Sequence, residues 1–222
     1  MKLKKYASSL LVLGLCFVGS INVSFANESK NIESDDTKAL IEEQISAFNE
    51  IDNQIRENRA EKSQPNKKQF KSVQSEQSEE GTYPTQPGAI LVTKDSKFGE
   101  LVGHAGIVYN STTTVESYTE NGVGTYPNTW NTSCKNAYGL LVKDSSPQKD
   151  QDAANYAYKQ VGKPYNWNFF NTETTDSFYC SQLVYKAYKD TTGIDLNYGG
   201  GIVTPVNLIQ SDKTSCIYSM GV

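Results

Sequence analysis

The stretch that decides the fold is Phe178-Tyr179-Cys180-Ser181-Gln182-Leu183-Val184-Tyr185-Lys186-Ala187-Tyr188. It predicts a helix that begins close to Cys180, because apolar residues recur in it at helical spacing, namely Leu183, Val184 and Ala187. Asp176 and Ser177 stand just upstream and are candidate N-caps, since their side-chain oxygens can accept hydrogen bonds from the first helical N–H groups. The pattern therefore places one thiol at the N-terminus of a helix.

A thiol in that position has two interpretations. The positive end of the helix dipole and the unpaired N–H groups favour the thiolate, which is the form that attacks a carbonyl carbon. Cysteine is also among the residues most often buried, so Cys180 can be an ordinary core residue of an apolar helix. This stretch alone leaves both interpretations open, and the chain upstream of it decides between them.

The N-terminus predicts an export signal over residues 1–26. It combines a basic start, an apolar middle and a small-x-small cleavage site, which are Lys2 with Lys4 and Lys5, Leu10 to Phe17, and Ser24-Phe25-Ala26. The apolar run is too short to span a bilayer comfortably, and no later stretch is apolar enough to do so. We therefore expect an extracytoplasmic protein, secreted or in the cell envelope, with no integral membrane segment after signal cleavage.

The charge of the chain limits its partners. The full sequence has 21 basic and 25 acidic residues. Three of the basic residues and none of the acidic ones lie in the predicted signal, which leaves 18 basic residues and a net charge near −7. This excess of negative charge disfavours nucleic acid and anionic membrane surfaces as partners.

Three cysteines follow the predicted signal: Cys134, Cys180 and Cys216. Export favours disulfides and an odd number leaves one thiol over, so Cys134 and Cys216 are either bonded to each other or unpaired, with Cys180 free. His104 is the single histidine of the chain, and no CxxC spacing is present. The sequence therefore predicts neither a metal site nor a cofactor.

Residues 27–81 form a separate N-terminal region. Apolar residues at spacings of three and four predict an amphipathic helix over roughly 36–62; they are Leu40, Ile41, Ile45, Phe48, Ile51 and Ile55, with Gln44 among them. Such a helix can be a coiled-coil arm, a lid, a spacer or, as we expect, a solvated helix packed loosely on a neighbour. Residues 64–81 are polar and predict a flexible linker.

Residues 82–222 have the composition of one globular domain, because aromatic and β-branched residues become frequent there. Strands are expected at 89–93, 103–109, 113–118, 139–142 and 215–218, and a helix at 150–161 with Gly162 as its C-cap. The segment Gly122-Val123-Gly124 is expected to interrupt the strand pattern. Strands grouped with a few helices predict an α+β domain with an antiparallel sheet.

A cysteine hydrolase needs a base, and His104 is the one imidazole that can serve. A base also needs an acceptor that orients it. Glu116 lies on the strand expected to pair with that of His104, and the two share a face if paired residue numbers sum to 220 or 222 but not if the sum is odd. The sequence does not fix this register. Glu120 is the alternative acceptor, and a structural histidine beside a solvent-facing Glu116 is the other interpretation.

Four motifs in this order resemble the YiiX-like branch of the NlpC superfamily; they are Gly103-His104-Ala105-Gly106-Ile107-Val108, Val115-Glu116-Ser117, Gly162-Lys163-Pro164-Tyr165 and Tyr179-Cys180-Ser181-Gln182-Leu183-Val184. That branch contains circularly permuted papain-like cysteine hydrolases, in which the histidine strand precedes the cysteine helix, as it does here. The resemblance covers residues 82–222 and implies a small antiparallel sheet packed against the helix of Cys180.

The resemblance also implies roles for single residues. Cys180 would be the nucleophile, His104 the general base and then acid, and Glu116 the residue that orients His104. The backbone N–H of Cys180 would help to form an oxyanion hole. Tyr179 and Tyr165 are candidate substrate-binding aromatics, with plain packing as the alternative.

The resemblance gives three hypotheses for function. The first is an exported cysteine amidase or endopeptidase that cleaves an amide bond, in peptidoglycan peptides or another small amide. The second is a lipid acyltransferase or thioesterase that uses the same Cys180, His104 and Glu116. The third is a non-catalytic cell-wall-binding module. The presence of all three residue types at matching positions favours an enzyme.

Overall fold

The computed structural model describes residues 35–62, 79–98 and 101–222. The helices and strands in these ranges are, in chain order, α1 (Asp35–Lys62), β1 (Glu79–Gly81), β2 (Ile90–Phe98), β3 (Leu101–Asn110), β4 (Thr113–Tyr118), β5 (Gly122–Pro127), α2 (Trp130–Ser133), β6 (Ala137–Val142), α3 (Pro147–Lys159), α4 (Cys180–Thr192), α5 (Pro205–Gln210) and β7 (Thr214–Met220). The described residues belong to one compact unit. The predicted signal at 1–26 lies outside the described residues, as does most of the predicted linker.

Within the described ranges the strands form one antiparallel sheet in the order β1-β7-β6-β2-β3-β4-β5. One face of this sheet is covered by the main core, to which α3, α4 and α5 contribute apolar side chains. The other face carries a smaller apolar cluster around Leu91, Val108, Trp130 and Tyr218. The predicted α+β fold is confirmed, with the cysteine-bearing helix α4 packed on the sheet.

The pairing of β3 with β4 decides which side chains can meet. Gly106 pairs with Glu116 and Ile107 with Val115, so the paired numbers sum to 222. Residues of equal parity on the two strands therefore share a face, and His104 stands diagonally across from Glu116. Pairing with β4 begins at Gly106, whereas His104 and Ala105 pair with β2 on their other side. The first half of β3 thus has one edge open beside α4.

Helix α4 begins at Cys180, as the apolar pattern predicts, but its N-cap is Tyr179. The prediction that Asp176 or Ser177 caps it is wrong. Gln182 explains the difference, because its Oε1 accepts a hydrogen bond from the Tyr179 N–H at 3.2 Å. The same amide donates through Nε2 to the carbonyls of Asn171, Thr172 and Thr174, each at 3.2 Å. One buried glutamine therefore fixes both the start of α4 and the loop before it.

The strands expected from the pattern are confirmed as β2, β3, β4, β6 and β7. The expected interruption at 122–124 is wrong, since these residues begin strand β5, which pairs with β4 from Gly122 onward. Gly122 has φ of +65°, and a Cβ there would lie 2.1 Å from the Lys163 carbonyl oxygen. The glycine thus allows a tight turn and a close backbone contact without ending the sheet.

Three further boundaries differ from the sequence expectation. Helix α3 begins at Pro147, after the N-cap Ser146, and its C-cap is Gln160 rather than Gly162. Helix α5 was not expected from the apolar pattern, because it is only six residues long. Residues Glu79–Gly81 fall in the predicted linker but pair with β7 as an edge strand.

Helix α1 spans almost the range that its periodicity predicts, but it does not pack loosely. Phe48 is 1 % exposed, and its ring stacks with that of Tyr138 on β6 at a centroid distance of 6.0 Å. Gln44 is also buried, and its Oε1 accepts a hydrogen bond from the Val102 N–H of β3 at 3.0 Å. The interpretation of α1 as a solvated, loosely packed helix is therefore wrong.

Polar contacts extend this docking along α1. The buried carboxylate of Asp52 accepts hydrogen bonds from the Tyr138 hydroxyl and from the Lys94 ammonium. About two turns further along the helix, Arg59 donates to the Glu80 carboxylate at 2.7 Å. These contacts join α1 to β6, β2 and β1, so the helix is a structural part of the domain.

Cys134, Cys180 and Cys216 are all free thiols, so the alternative of two unpaired thiols holds and a Cys134–Cys216 disulfide is absent. Of the helices described, none has the length and apolarity needed to cross a bilayer.

The docking of α1 gives a stability prediction. Phe48→Ala removes a ring from a closed contact, and we expect it to lower the free energy of unfolding by about 3–5 kcal/mol, measured by urea denaturation. Ile45→Ala on the same helix is the control, because Ile45 is 45 % exposed. The control should change the free energy by no more than about 0.5 kcal/mol. Equal effects of the two substitutions would show that α1 is not docked through Phe48.

Candidate active site

Cys180 is the first residue of α4 and is 1 % exposed. Its sulfur lies at the open edge of β3, close enough to the Ala105 N–H for that group to help lower the pKa of the thiol. Two side-chain hydroxyls fix the chain on either side of it. Ser117 of β4 donates to the Phe178 carbonyl at 2.6 Å, and Ser181 donates to the Val203 carbonyl at 2.6 Å. The thiol is therefore held at the end of the β3–β4 pairing.

His104 lies on the neighbouring strand and is 3 % exposed. Its Nε2 is 2.8 Å from Oε2 of Glu116. Its ring stacks with Tyr118 at a centroid distance of 4.3 Å and with Trp130 at 5.5 Å. Nδ1 is the ring nitrogen that remains to face Cys180, and it has no hydrogen-bond partner. The thiol nevertheless lies close enough to raise the pKa of His104. Contacts of this kind are often long before substrate binds.

The Glu116 carboxylate is buried, and both of its oxygens are fully used. Oε1 accepts hydrogen bonds from the Thr114 hydroxyl and from the Trp130 indole N–H, the latter at 3.1 Å. Oε2 accepts from the Tyr118 hydroxyl at 2.8 Å and faces His104. A Cβ on Gly106 would lie 2.8 Å from Cγ of Glu116. The glycine of the His104 motif therefore leaves the space in which the carboxylate lies.

The three groups shift one another's pKa in the directions that favour charge. Burial alone would lower the pKa of His104, but its interactions with Cys180 and then with Glu116 outweigh burial and raise that pKa from 6.5 to about 9. Burial alone would raise the pKa of the Cys180 thiol. The interactions of the thiol with His104 and with the Ala105 N–H outweigh burial and lower that pKa. The pKa of Glu116 is also lowered, because hydrogen bonds from His104, Thr114 and Tyr118 outweigh its burial.

These shifts favour a thiolate beside an imidazolium, with a carboxylate behind the ring. Thiolate is the nucleophilic form of cysteine, and an imidazolium can give a proton to a leaving group. This arrangement is suited to acyl transfer.

The other candidate residues do not join the group formed by Cys180, His104 and Glu116. Glu120, the alternative acceptor, is exposed and does not contact His104. Tyr179 is fully buried, with its hydroxyl bonded to the Phe169 carbonyl and the Val203 N–H at 3.2 Å each. Tyr179 therefore packs in the core, and the prediction that it faces substrate is wrong for this conformation. Tyr165 is 7 % exposed, and its ring contacts that of Trp167.

Three residues that hold Glu116 were not expected from the sequence: Thr114, Tyr118 and Trp130. Thr114 and Tyr118 lie two residues to either side of Glu116 on β4, so strand alternation alone places them on its face. This signal was available once β4 was predicted. Trp130 lies on the short helix α2, and no local pattern connects it to His104.

The donor set does not suit a resident metal ion. In the described ranges no group of three His, Cys, Asp or Glu side chains could hold one. Glu116 is the acidic side chain nearest His104, and its two oxygens already face four donors. Coordination would require these hydrogen bonds to break.

Two known proteins are similar to this chain. The uncharacterized protein YycO of Bacillus subtilis (strain 168) is 32 % identical over 122 residues, which are 53 % of this chain and 49 % of YycO. The chain thus matches about half the length of that relative. The crystal structure of yiiX from Escherichia coli O157:H7, described as a metalloprotein, has a TM-score of 0.50 and 18 % identity. It covers 60 % of this chain and 96 % of yiiX, and at this identity the likeness shows the fold alone.

The family model described as "Permuted papain-like amidase enzyme, YaeF/YiiX, C92 family" matches residues 85–212, more than half of the chain. This range contains β3, β4 and the start of α4, and with them the thiol, the imidazole and the carboxylate. The order of these elements, histidine strand before cysteine helix, is the order that the resemblance to permuted papain-like enzymes implies. The chain belongs to the C92 family of permuted papain-like amidases.

Proposed function

We propose that the protein is an exported cysteine amidase that hydrolyses an amide bond in peptidoglycan peptides. Cys180 is the nucleophile, His104 the general base and acid, and Glu116 the residue that orients His104. The single observation that carries the proposal is the convergence of the three side chains, with His104 Nε2 2.8 Å from Glu116 Oε2 and the Cys180 thiol close enough to help raise the pKa of His104 to about 9.

The proposed reaction has two halves. The Cys180 thiolate attacks the amide carbon, the C–S bond forms, and the carbonyl electrons move to oxygen. The tetrahedral intermediate collapses, the C–N bond breaks, and the His104 imidazolium gives its proton to the leaving amine. His104 then takes a proton from water, the resulting hydroxide attacks the thioester, and the thiolate leaves with a carboxylic acid as product. The Cys180 N–H, at the open end of α4, stabilises the oxyanion, and such a donor is typically worth about 3 kcal/mol.

Glu116 positions the His104 ring during this cycle. Its hydrogen bond to Nε2 fixes the ring plane and leaves Nδ1 toward the sulfur. It also stabilises the imidazolium, because a carboxylate 2.8 Å away favours the charged ring. The stacked rings of Tyr118 and Trp130 restrict rotation of the imidazole further.

The family supports an amide as the bond cleaved. Two arguments support a cell-wall peptide as the substrate. The N-terminal sequence has the basic, apolar and small-x-small pattern of an export signal, and the remaining chain is acidic, which suits a soluble peptide better than an anionic lipid surface. Tyr165 remains the predicted aromatic contact for that substrate.

Removal of the nucleophile is the direct test. We expect Cys180→Ala and His104→Ala to lower the turnover of defined muropeptides by at least about 1,000-fold, because the two groups act as a unit. Cys134→Ala, at a second free thiol, is the control and should retain activity. Equal activity of wild type and Cys180→Ala would contradict the mechanism. Labelling of Cys180 by long-chain acyl probes, without turnover of muropeptides, would support lipid chemistry instead.

The pH profile tests the role of Glu116. Activity requires the thiolate and the imidazolium together, so it should fall as pH rises through about 9, where His104 loses its proton. In Glu116→Gln the stabilising charge is gone, and the alkaline limb should move to lower pH by at least about one unit.

The matched control for the pH profile is Glu120→Gln, because Glu120 is exposed and lies in the turn between β4 and β5. Its profile should coincide with that of the wild type. The same alkaline limb in Glu116→Gln and wild type would show that Glu116 does not act on His104.

Trp130 is expected to act through Glu116 as a positioning residue. Trp130→Phe keeps a ring against His104 but removes the N–H that Glu116 accepts. We expect kcat to fall about 10- to 100-fold with little change in KM, because the base is less well positioned in the transition state. Trp167→Phe is the control, since Trp167 is 64 % exposed and lies outside this network. A rise in KM without a fall in kcat would assign Trp130 to substrate binding.

A further inference from the structure

A groove of about 600 Å³ lies between α1, helix α5 and the segment 198–204. Its α1 wall includes Glu43, Gln44 and Glu50, and the opposite wall includes Tyr198 and Ile202. Helix α1 lies outside the residues matched by the family, which begin at residue 85. The groove is therefore built partly by a helix that the family does not assign.

The wall opposite α1 is joined directly to the segment of Cys180. Ile202 and Thr204 line the groove and flank Val203. The Val203 carbonyl accepts from the Ser181 hydroxyl at 2.6 Å, and its N–H donates to the Tyr179 hydroxyl at 3.2 Å. The groove wall is thus bonded to the residues immediately before and after the thiol.

The α1 wall is joined to the segment of His104. Gln44 lines the groove and accepts a hydrogen bond from the Val102 N–H, two residues before His104. The next turn of α1 brings Phe48 to 3.2 Å from the position that a Cβ on Gly103 would occupy. Both walls are therefore bonded to the segments that carry Cys180 and His104, although neither of these two residues lines the groove itself.

The side chains of the groove define the ligand chemistry. Glu43 and Glu50 are exposed on the same wall, seven residues and about two helical turns apart, and Glu50 accepts one hydrogen bond from Gln54 at 3.3 Å. None of the residues that line this groove is basic. The remaining surface includes Phe170 and Tyr198, which are 79 % and 52 % exposed. This combination suits a peptide that carries a positive charge and disfavours an anionic ligand.

The segment opposite α1 also exposes its backbone. Gly199 and Gly200 line the groove with φ of +79° and +77°, and a Cβ on either would meet no atom within 4 Å. Bare peptide groups at a groove edge allow the backbone of an extended ligand to approach closely. The groove is therefore shaped for a peptide.

We propose that this groove binds a part of the peptide substrate that carries a free amine, and that α1 supplies the recognition through Glu43 and Glu50. The inference rests on the proposed function, because it takes the groove to lead to the nucleophile. It assigns to α1 a role in substrate selection in addition to its role in stability.

The test compares two fluorogenic peptide amides that differ in one group, a lysine side chain and its Nε-acetyl derivative. The wild type should have a kcat/KM about fivefold higher for the lysine peptide, and the preference should fall at high salt, since exposed ion pairs are weak and screened. In the double variant Glu43→Gln/Glu50→Gln, the ratio of kcat/KM for the lysine peptide to that for the acetylated peptide should fall to near one.

The control is Glu42→Gln/Glu57→Gln, which removes the same charge from exposed positions of α1 outside the groove. Its ratio should stay at the wild-type value. An equal loss in both double variants would assign the preference to net charge and overturn the proposal, as would a ratio of one in the wild type.

A binding measurement separates this inference from the proposed function. Titration of Cys180→Ala with each peptide by calorimetry reports on the groove without turnover. Failure of the wild type to cleave either peptide would count against the proposed function, and tighter binding of the lysine peptide would still support the groove. Equal affinity for the two peptides would overturn the inference.

Discussion

The buried carboxylate of Glu116 is the group on which the site depends. A carboxylate with 1 % exposure is stable only if its oxygens are hydrogen-bonded, and here four donors from three elements converge on it. This satisfied charge orients the ring of His104 and, together with Cys180, raises the pKa of that ring, which in turn lowers the pKa of the Cys180 thiol. Loss of any donor would therefore be felt at the sulfur, which Glu116 itself does not contact.

The charged groups lie at a break in the sheet. Strand β3 pairs with β4 only from Gly106 onward, so the edge before Gly106 is open. The Ala105 N–H on this edge lies close enough to the sulfur to help lower the pKa of the thiol. Helix α4 begins at this edge, so that its first residue meets the strand of His104. The site is closed to solvent in this conformation, since Cys180 and His104 are almost fully buried. The proposed reaction therefore requires the substrate to displace some of the surrounding side chains, and the groove proposed to bind it is bonded to the segments of Cys180 and His104.

The sequence predicts the three proposed catalytic residues better than it predicts the residues that position them. Cys180, His104 and Glu116 each stand in a recognisable local pattern, and the structure brings all three together. Thr114 and Tyr118 follow from strand alternation around Glu116, but Trp130 reaches it from a separate short helix. Tyr179 was predicted to contact substrate. Its side chain instead points into the core, although the residue lies next to the thiol in the sequence.

Periodicity and turn residues by themselves determined the strands β2, β3, β4, β6 and β7, the start of α4 at Cys180 and the position of α1. These features arise from contacts between residues close in the chain, which a local pattern records. The tertiary structure decided the even register of β3 with β4, the tight docking of α1 and the four donors around Glu116. Each of these depends on residues far apart in sequence, whose meeting is set by the packing of the whole sheet.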